Sequence, residues 1–266
     1  GNPDITLSPW MVAIKNGYIC LPENENHLMQ LEDYCLRWEK KKSLRLIYQD
    51  LYQQMAQFSL PGSSLEIGGG IGNLELSQGE ILRIDIQKSP GVQVVADAHY
   101  LPFCNGAFSN IYLFDVLHHL ECPLVFLAEA QRVLRPGGRV IMIEPGITPL
   151  SHLLYRMGHE EPVDLTWHPK EFCKPNPKKN PYESNQAIPT LLFTKYLARM
   201  ARAGISMRVL ENRWLSLFAY PLSGGFKSWS LIPSSWVRPI LKFERWLLPK
   251  VGNKMAFRLM IILEKN

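Results

Sequence analysis

Long apolar runs are missing from this 266-residue chain. No stretch approaches the roughly 20 consecutive apolar residues of a membrane-spanning helix, and nothing at its start resembles a signal peptide. Cysteine is scarce too. Cys20, Cys35, Cys104, Cys122 and Cys173 are odd in number, scattered, and never spaced as Cys-x-x-Cys. That pattern speaks against a disulfide framework or a structural zinc site, and it fits a reducing cytosol. Low-complexity runs and internal repeats are also lacking. With 46% hydrophobic and 20% charged residues, the composition is that of a globular protein. The length allows one large domain, or one domain with an appendage.

Acidic residues run short in one region only. Residues 195–266 hold 13 Lys/Arg against 3 Asp/Glu, whereas residues 1–194 hold 16 against 21. Trp214, Trp229, Trp236 and Trp246 fall in the same basic segment. Basic and aromatic residues together suit an anionic partner such as a lipid headgroup, a phosphorylated substrate or nucleic acid. The plainer reading is a solvated face over an aromatic core.

Residues 27–58 carry leucines and an isoleucine at three- and four-residue steps, which predicts an N-terminal helical arm over residues 1–60. The charged "RWEKKKSLR" interrupts that pattern, as a break or an exposed turn. Residues 61–266 then read as the main domain. "SSLEIGGG" reads as a short buried strand running into a glycine turn, and short apolar runs at 81–86, 92–96, 109–114 and 139–143 predict further strands. Between the last two, "PLVFLAEAQRVLRPGG" predicts a helix facing inward with Leu124, Leu127, Ala128, Val133 and Leu134. Strands alternating with helices imply a largely parallel sheet covered on both faces. Residues 145–190 lose the pattern, and five prolines crowd into 162–181, as in a lid or substrate wall. A helix is expected over 190–203, closing strands within 207–220 and 256–263, and an amphipathic helix at "WVRPILKFERWLL".

The stretch "LEIGGGIGNLELSQGEILRID", Leu65 to Asp85, bears most directly on function. Glycines after a first strand permit positive backbone angles and the close approach of a ligand. Counting from Gly68 and Gly70, a dinucleotide fingerprint would need a third glycine where Asn73 stands, and no Gly-Lys-Ser/Thr of a P-loop follows. What stands is Glu66-x-Gly68-x-Gly70-x-Gly72, with Gly69 between.

Together with Asp85, "ADAHYLPF", "LFDVLHHL" and "RVLRPGGRVIMIEP", this pattern resembles the class I S-adenosylmethionine-dependent methyltransferases over about residues 60–146. The nearest likeness is to the small-molecule branch of the ubiquinone and menaquinone methyltransferases. The resemblance implies a Rossmann-like seven-stranded α/β sheet, with S-adenosyl-L-methionine over the first strands. It places Asp85 on the ribose hydroxyls with Ile86 beside it, Asp97 and Ala98 at the adenine, and Phe114 and Asp115 along the cleft. Glu66, Gly68, Gly69 and Gly70 belong to the loop at the amino-acid end of the cofactor. A carboxylate suits the ribose because its two oxygens take two donors. Asp115 also reads as an ordinary helix cap. One departure stands out: eight residues separate Gly72 from Ile81, room for about two helical turns at most. The lower pocket wall would then be thin, with another segment such as the arm covering it.

Methyl transfer mainly requires alignment, exclusion of water and, for an oxygen acceptor, removal of a proton. Candidate bases are His119, Glu144 and, in the lid, His159; Glu144 also reads as a hydrogen-bonded structural acid. Adjacent histidines do not point to one metal centre, so none is expected. The expected function is O- or C-methylation of a small, lipid-linked or sugar-linked acceptor. The protein would be cytoplasmic, with a peripheral membrane contact through the basic, Trp-rich segment. The alternatives are an RNA methyltransferase using the same basic face, and a cofactor-binding protein without catalysis.

Overall fold

Period-two alternation in the apolar runs decides how the sheet is buried. In 111–113 and 140–143, Ile111, Leu113, Val140 and Met142 point to one core, while Tyr112, Ile141 and Ile143 point to the other. The computed structural model describes residues 14–15, 18–19, 25–76, 80–158, 161–176 and 179–266. A two-strand ladder, β1 (Ile14–Lys15) and β2 (Tyr18–Ile19), precedes helices α1 (Glu25–Lys40) and α2 (Lys42–Ala56). Then come β3 (Ser64–Ile67), β4 (Ile81–Asp85), β5 (Val94–Val95), β6 (Phe108–Phe114), a 3-10 turn (Leu117–His119), α3 (Pro123–Val133) and β7 (Leu134–Pro145). The rest is α4 (Pro149–Gly158), α5 (Ile188–Thr194), α6 (Ala198–Arg202), β8 (Met207–Leu215), α7 (Ala219–Ser223), α8 (Ser234–Met255) and β9 (Arg258–Lys265).

Seven strands form one sheet in the order β5-β4-β3-β6-β7-β9-β8. The first five are parallel, and β9 runs antiparallel to both its neighbours. This is the Rossmann-like, mostly parallel seven-stranded sheet that the resemblance implies. The carboxyl ends of β3, β4 and β6 therefore lie side by side, and β9 enters the sheet at that same edge through Arg258, opposite Pro145.

One face is covered by α3 and α5 through Leu124, Phe126, Leu127 and Leu192. The other is covered by α2 and α8 through Leu44, Ile47, Leu51, Met55, Val237 and Leu241. Each large apolar side chain so buried contributes roughly 1.5–3 kcal/mol, so α2 is part of the sheet's core. The charged interruption is a break at Lys41, whose backbone is extended. Its ammonium donates to four carbonyls, those of Ser223, Gly225, Lys227 and Trp229, at 2.6–3.0 Å.

Several expectations need correction. Among the described residues, no helix joins β3 to β4. Leu74 instead is almost fully buried in the core cluster that α2 lines. The helix expected over 190–203 is split into α5 and α6. In α3, Phe126 and Ala130 are buried and Ala128 is exposed. Cys122 and Cys173 form a disulfide with Cα atoms 5.5 Å apart. That overturns the expectation that the cysteines are unpaired, and it removes the basis of the reducing-cytosol argument. Sequence spacing missed the bridge because 51 residues separate the partners.

Candidate active site

Two clusters meet at the carboxyl ends of the strands. The first is the glycine loop between β3 and β4. Gly68 has φ +71°, and a Cβ there would fall 2.4 Å from Val116 Cγ2, so only glycine fits. Gly70 has φ +44°, and its Cβ direction meets nothing nearer than the Gly68 carbonyl oxygen at 3.7 Å, which leaves an open cradle. Asp85, ending β4, shapes this loop: Oδ2 accepts from the Gly70 N–H and Oδ1 from the Gln87 N–H, both at 3.1 Å. Ile86 beside it is 41% exposed, an apolar surface left facing outward next to the cradle.

Glu66 is buried at the root of the loop and bound by Arg83 Nε at 2.8 Å. Burial raises its carboxyl to about 8 despite that partner. Asp97 Oδ1 accepts from both the backbone N–H and Nδ1 of His99, at 2.9 and 2.7 Å. Burial opposes ionisation there, but these bonds outweigh it and hold the carboxyl below its ordinary value. Ala98 between them is buried.

The second cluster surrounds the 3-10 turn after β6. Asp115 adopts φ +57°, a left-handed conformation that Asp tolerates better than most residues. It is no helix cap. Both its oxygens take the fork of Arg258, at 2.6 and 2.9 Å. Arg258 is buried among Phe114, Tyr220 and Tyr48, with ring centroids 4.9, 4.3 and 6.0 Å from its guanidinium carbon. Phe114 accordingly packs toward Tyr48 and Tyr52. Sequence reasoning missed Arg258 entirely, since it lies 143 residues from Asp115 and in no motif.

Beyond Asp115, Glu144 from the end of β7 is fully buried. Oε1 accepts the N–H groups of Val116 and Leu117 at 2.9 and 2.7 Å, and Oε2 meets His118 Nδ1 at 2.8 Å. On its other side His118 Nε2 lies 3.5 Å from Glu161, in the segment after α4. Burial works against its charge, but Glu144 and Glu161 outweigh burial and raise His118 to about 9. Glu161 also accepts from Ser184 Oγ and Gln186 Nε2. Although burial opposes its ionisation, the His118 partnership brings it down to about 2. His119 takes the opposite course. Burial, then the neighbouring His118 charge, lowers it to about 4, and its buried Nδ1 has no hydrogen-bond partner among the described residues. His159, the other candidate base, lies outside the described residues.

The segment after α4 is fastened to this turn. Asn185 donates its N–H to the His118 carbonyl at 2.9 Å, and Lys179 Nζ reaches the His119 carbonyl at 2.7 Å. The Cys122–Cys173 bridge is a third tie.

Over residues 65–142 the chain matches a protein family described as a methyltransferase domain. Those residues are a methyltransferase domain. A Streptomyces fradiae protein of a transposon, uncharacterized and of 37.1 kDa, is 47% identical over 57 residues, 21% of this chain and 16% of that protein. An uncharacterized Methanocaldococcus jannaschii protein is 29% identical over 124 residues, 44% of this chain and 59% of that one. The chain thus spans less than two thirds of either relative. A solved S-adenosylmethionine-dependent methyltransferase from Archaeoglobus fulgidus superposes with a TM-score of 0.48 at 16% identity, covering 91% of this chain and all of that one. A putative methyltransferase from Bacillus halodurans gives 0.42 at 15%, over 81% and 95%.

The cofactor of such a methyltransferase domain is S-adenosyl-L-methionine, and the residues present fit it. The open cradle at Gly70 offers backbone approach, and Asp85 stands fixed at the adjoining strand end. Metal ligation fits less well. His118, His119 and Glu161 place ligand-type atoms within 4.8 Å of one another. A cation there would require His118 to lose its proton and Glu161 to exchange the donors it already holds.

Proposed function

We propose that the chain is an S-adenosylmethionine-dependent methyltransferase that methylates oxygen or carbon of a small, lipid-linked or sugar-linked acceptor. The motif order favours the branch of the ubiquinone and menaquinone enzymes. In this reading Asp85 holds the ribose, Asp97 and Ala98 border the adenine, and the Gly68–Gly70 backbone meets the amino-acid end. Bound cofactor would supply an electrophilic methyl group on a sulfonium.

The carrying observation is the unequal pair of histidines at the end of β6. His118, protonated between two carboxylates, cannot accept a proton. Its charge helps keep His119 neutral, with Nδ1 buried and unpartnered among the described residues. An imidazole in that state is unprotonated throughout the neutral range and available to an acceptor hydroxyl, and its low basicity makes it depend on positioning rather than on driving force. Glu144, with both oxygens bound, orients the pair. The lid, fastened to the same turn, walls off water and contributes aromatic side chains such as Trp167 for an apolar acceptor.

Calorimetry with S-adenosylhomocysteine, and transfer of labelled methyl to lipid and lipid-linked sugar extracts, test the reading. Failure to bind the nucleoside sinks it. His119→Ala is expected to lower kcat by roughly 10²–10⁴ with an oxygen acceptor while leaving nucleoside affinity unchanged. Because His119 titrates near 4, wild-type activity should lose its base only as pH falls toward that value. An acid limb centred near 6.5 would refute the assignment.

A further inference from the structure

Helix α8 has two apolar sides, and the fold uses one. Val237, Leu241 and Gly252 are buried, with Glu244 accepting the N–H groups of Phe218 and Ala219. Trp236 and Phe243, which the amphipathic pattern groups with Ile240 and Leu247 on one apolar face, are 64% and 50% exposed, and Trp246 is 60% exposed. Steps of seven and three residues place them on one outward stripe, and Lys250 continues it four residues on. The Lys250 ammonium lies 3.8 Å from the centroid of the Trp246 ring. Leu231, 71% exposed, extends apolar surface into the preceding loop. That loop is anchored, because Lys41 grips its carbonyls.

Along the flank of the stripe, Arg238, Lys242 and Arg245 recur at steps of four and three. With Gln49, Asp50 and Gln53 of α2 they line a groove of about 400 Å³. Arg245 is paired with Asp50 at 2.6 Å, while Arg238 and Lys242 have no hydrogen-bond or ion-pair partner among the described residues. The helix carries five basic residues and one acid, Glu244, which is buried.

We propose that this face docks on an anionic lipid bilayer, with Trp236, Phe243 and Trp246 at the level of the headgroups and the Arg238–Lys242 groove taking lipid phosphate. Tryptophan suits that boundary because its body is apolar and its N–H can stay wet. Basic side chains beside it add attraction to anionic lipid. No helix among the described residues is long and apolar enough to cross a membrane, so the contact lies along the surface. A second copy of the chain is a poorer occupant, since two such faces would set like charges against each other. The proposal rests on this surface alone and stands whether or not the catalytic assignment does.

Cosedimentation of the full chain with phosphatidylcholine vesicles, or with equal parts phosphatidylcholine and phosphatidylglycerol, tests it. Binding to the anionic vesicles alone is expected, weakening with salt and accompanied by a blue shift of tryptophan emission. Trp236→Ser with Trp246→Ser should weaken binding by roughly tenfold or more with an unchanged melting temperature, since both side chains are exposed. Arg238→Gln with Lys242→Gln should weaken it and flatten the salt dependence. Equal binding to neutral vesicles, or none to either, overturns the proposal. So does a dimer that the tryptophan variants dissociate, or tighter binding to a single-stranded RNA oligonucleotide than to vesicles.

Discussion

The glycine loop and the histidine turn stand at neighbouring strand ends, yet they are built in opposite ways. The loop is shaped by backbone. Its positive φ angles, and an acid 15 residues from the N–H it binds, all come from one short stretch of chain. The turn is shaped by side chains drawn from Asp115, Glu144, Glu161, Ser184 and Arg258, which four separate parts of the fold must deliver. A site of the first kind is damaged locally. One of the second kind fails with the fold that assembles it.

Arg258→Met should separate the two most sharply. The buried guanidinium is held well above its ordinary value: burial opposes its charge, but Asp115 outweighs that. Removing it strands a carboxylate in a left-handed turn, and breaking such a pair costs about 3–5 kcal/mol. A large fall in melting temperature is expected, with the histidine turn disordered. Double replacement of Asp115 and Arg258 by apolar residues should recover part of the loss, and a single variant as stable as the wild type would show the pair to be idle.

The pH dependence of stability probes the turn more gently. His118 is raised from 6.5 to about 9 in the folded state. Its contribution is therefore fully present below about 6.5 and is lost as pH rises through 9, a change of roughly 3 kcal/mol. Denaturant melts at pH 6 and pH 9.5 should differ by more than that amount, because Glu66, raised to about 8, loses stability over the same window. His118→Gln should shrink the difference by the histidine's share of about 3 kcal/mol. An unchanged difference in His118→Gln would remove the histidine from the account.

The same contrast explains what could be read from sequence. Gly68, Gly70 and Asp85 show themselves because backbone geometry constrains residue type at fixed, short spacing. The parallel strands declare themselves as apolar runs, and alternation assigns their faces. Arg258 does not, since an arginine at the start of a closing strand has no local signature. Nor does the pairing of Cys122 with Cys173, or that of Glu161 with His118, because neither is periodic nor close in the chain. On α8 the hydrophobic pattern puts Trp236, Ile240, Phe243 and Leu247 on one apolar face, yet Trp236 and Phe243 are exposed, because large aromatics carry the strongest apolar signal whether or not they are buried. The sheet chose the smaller side chains, Val237, Leu241 and Gly252, where α8 packs closely against β8: a Cβ at Gly252 would lie 2.9 Å from Trp214 Cβ.

Asp85→Ala carries the smallest expected effect on the fold and the clearest on ligand. Its carboxylate binds two backbone N–H groups of half-buried loop segments, a smaller loss than stranding a buried charge, so the melting temperature should move far less than in Arg258→Met. Charge-assisted bonds to the ribose are worth about 1.5–3 kcal/mol, which predicts a roughly 10- to 100-fold weaker Kd for S-adenosylhomocysteine by calorimetry. Asp85→Asn should fall between, because the amide keeps one acceptor oxygen and loses the charge. If Asp85→Ala instead lowers stability as much as Arg258→Met while leaving Kd unchanged, the carboxylate serves the loop and not the ribose. The distinction between a locally built site and an assembled one would then fail at the residue that defines it.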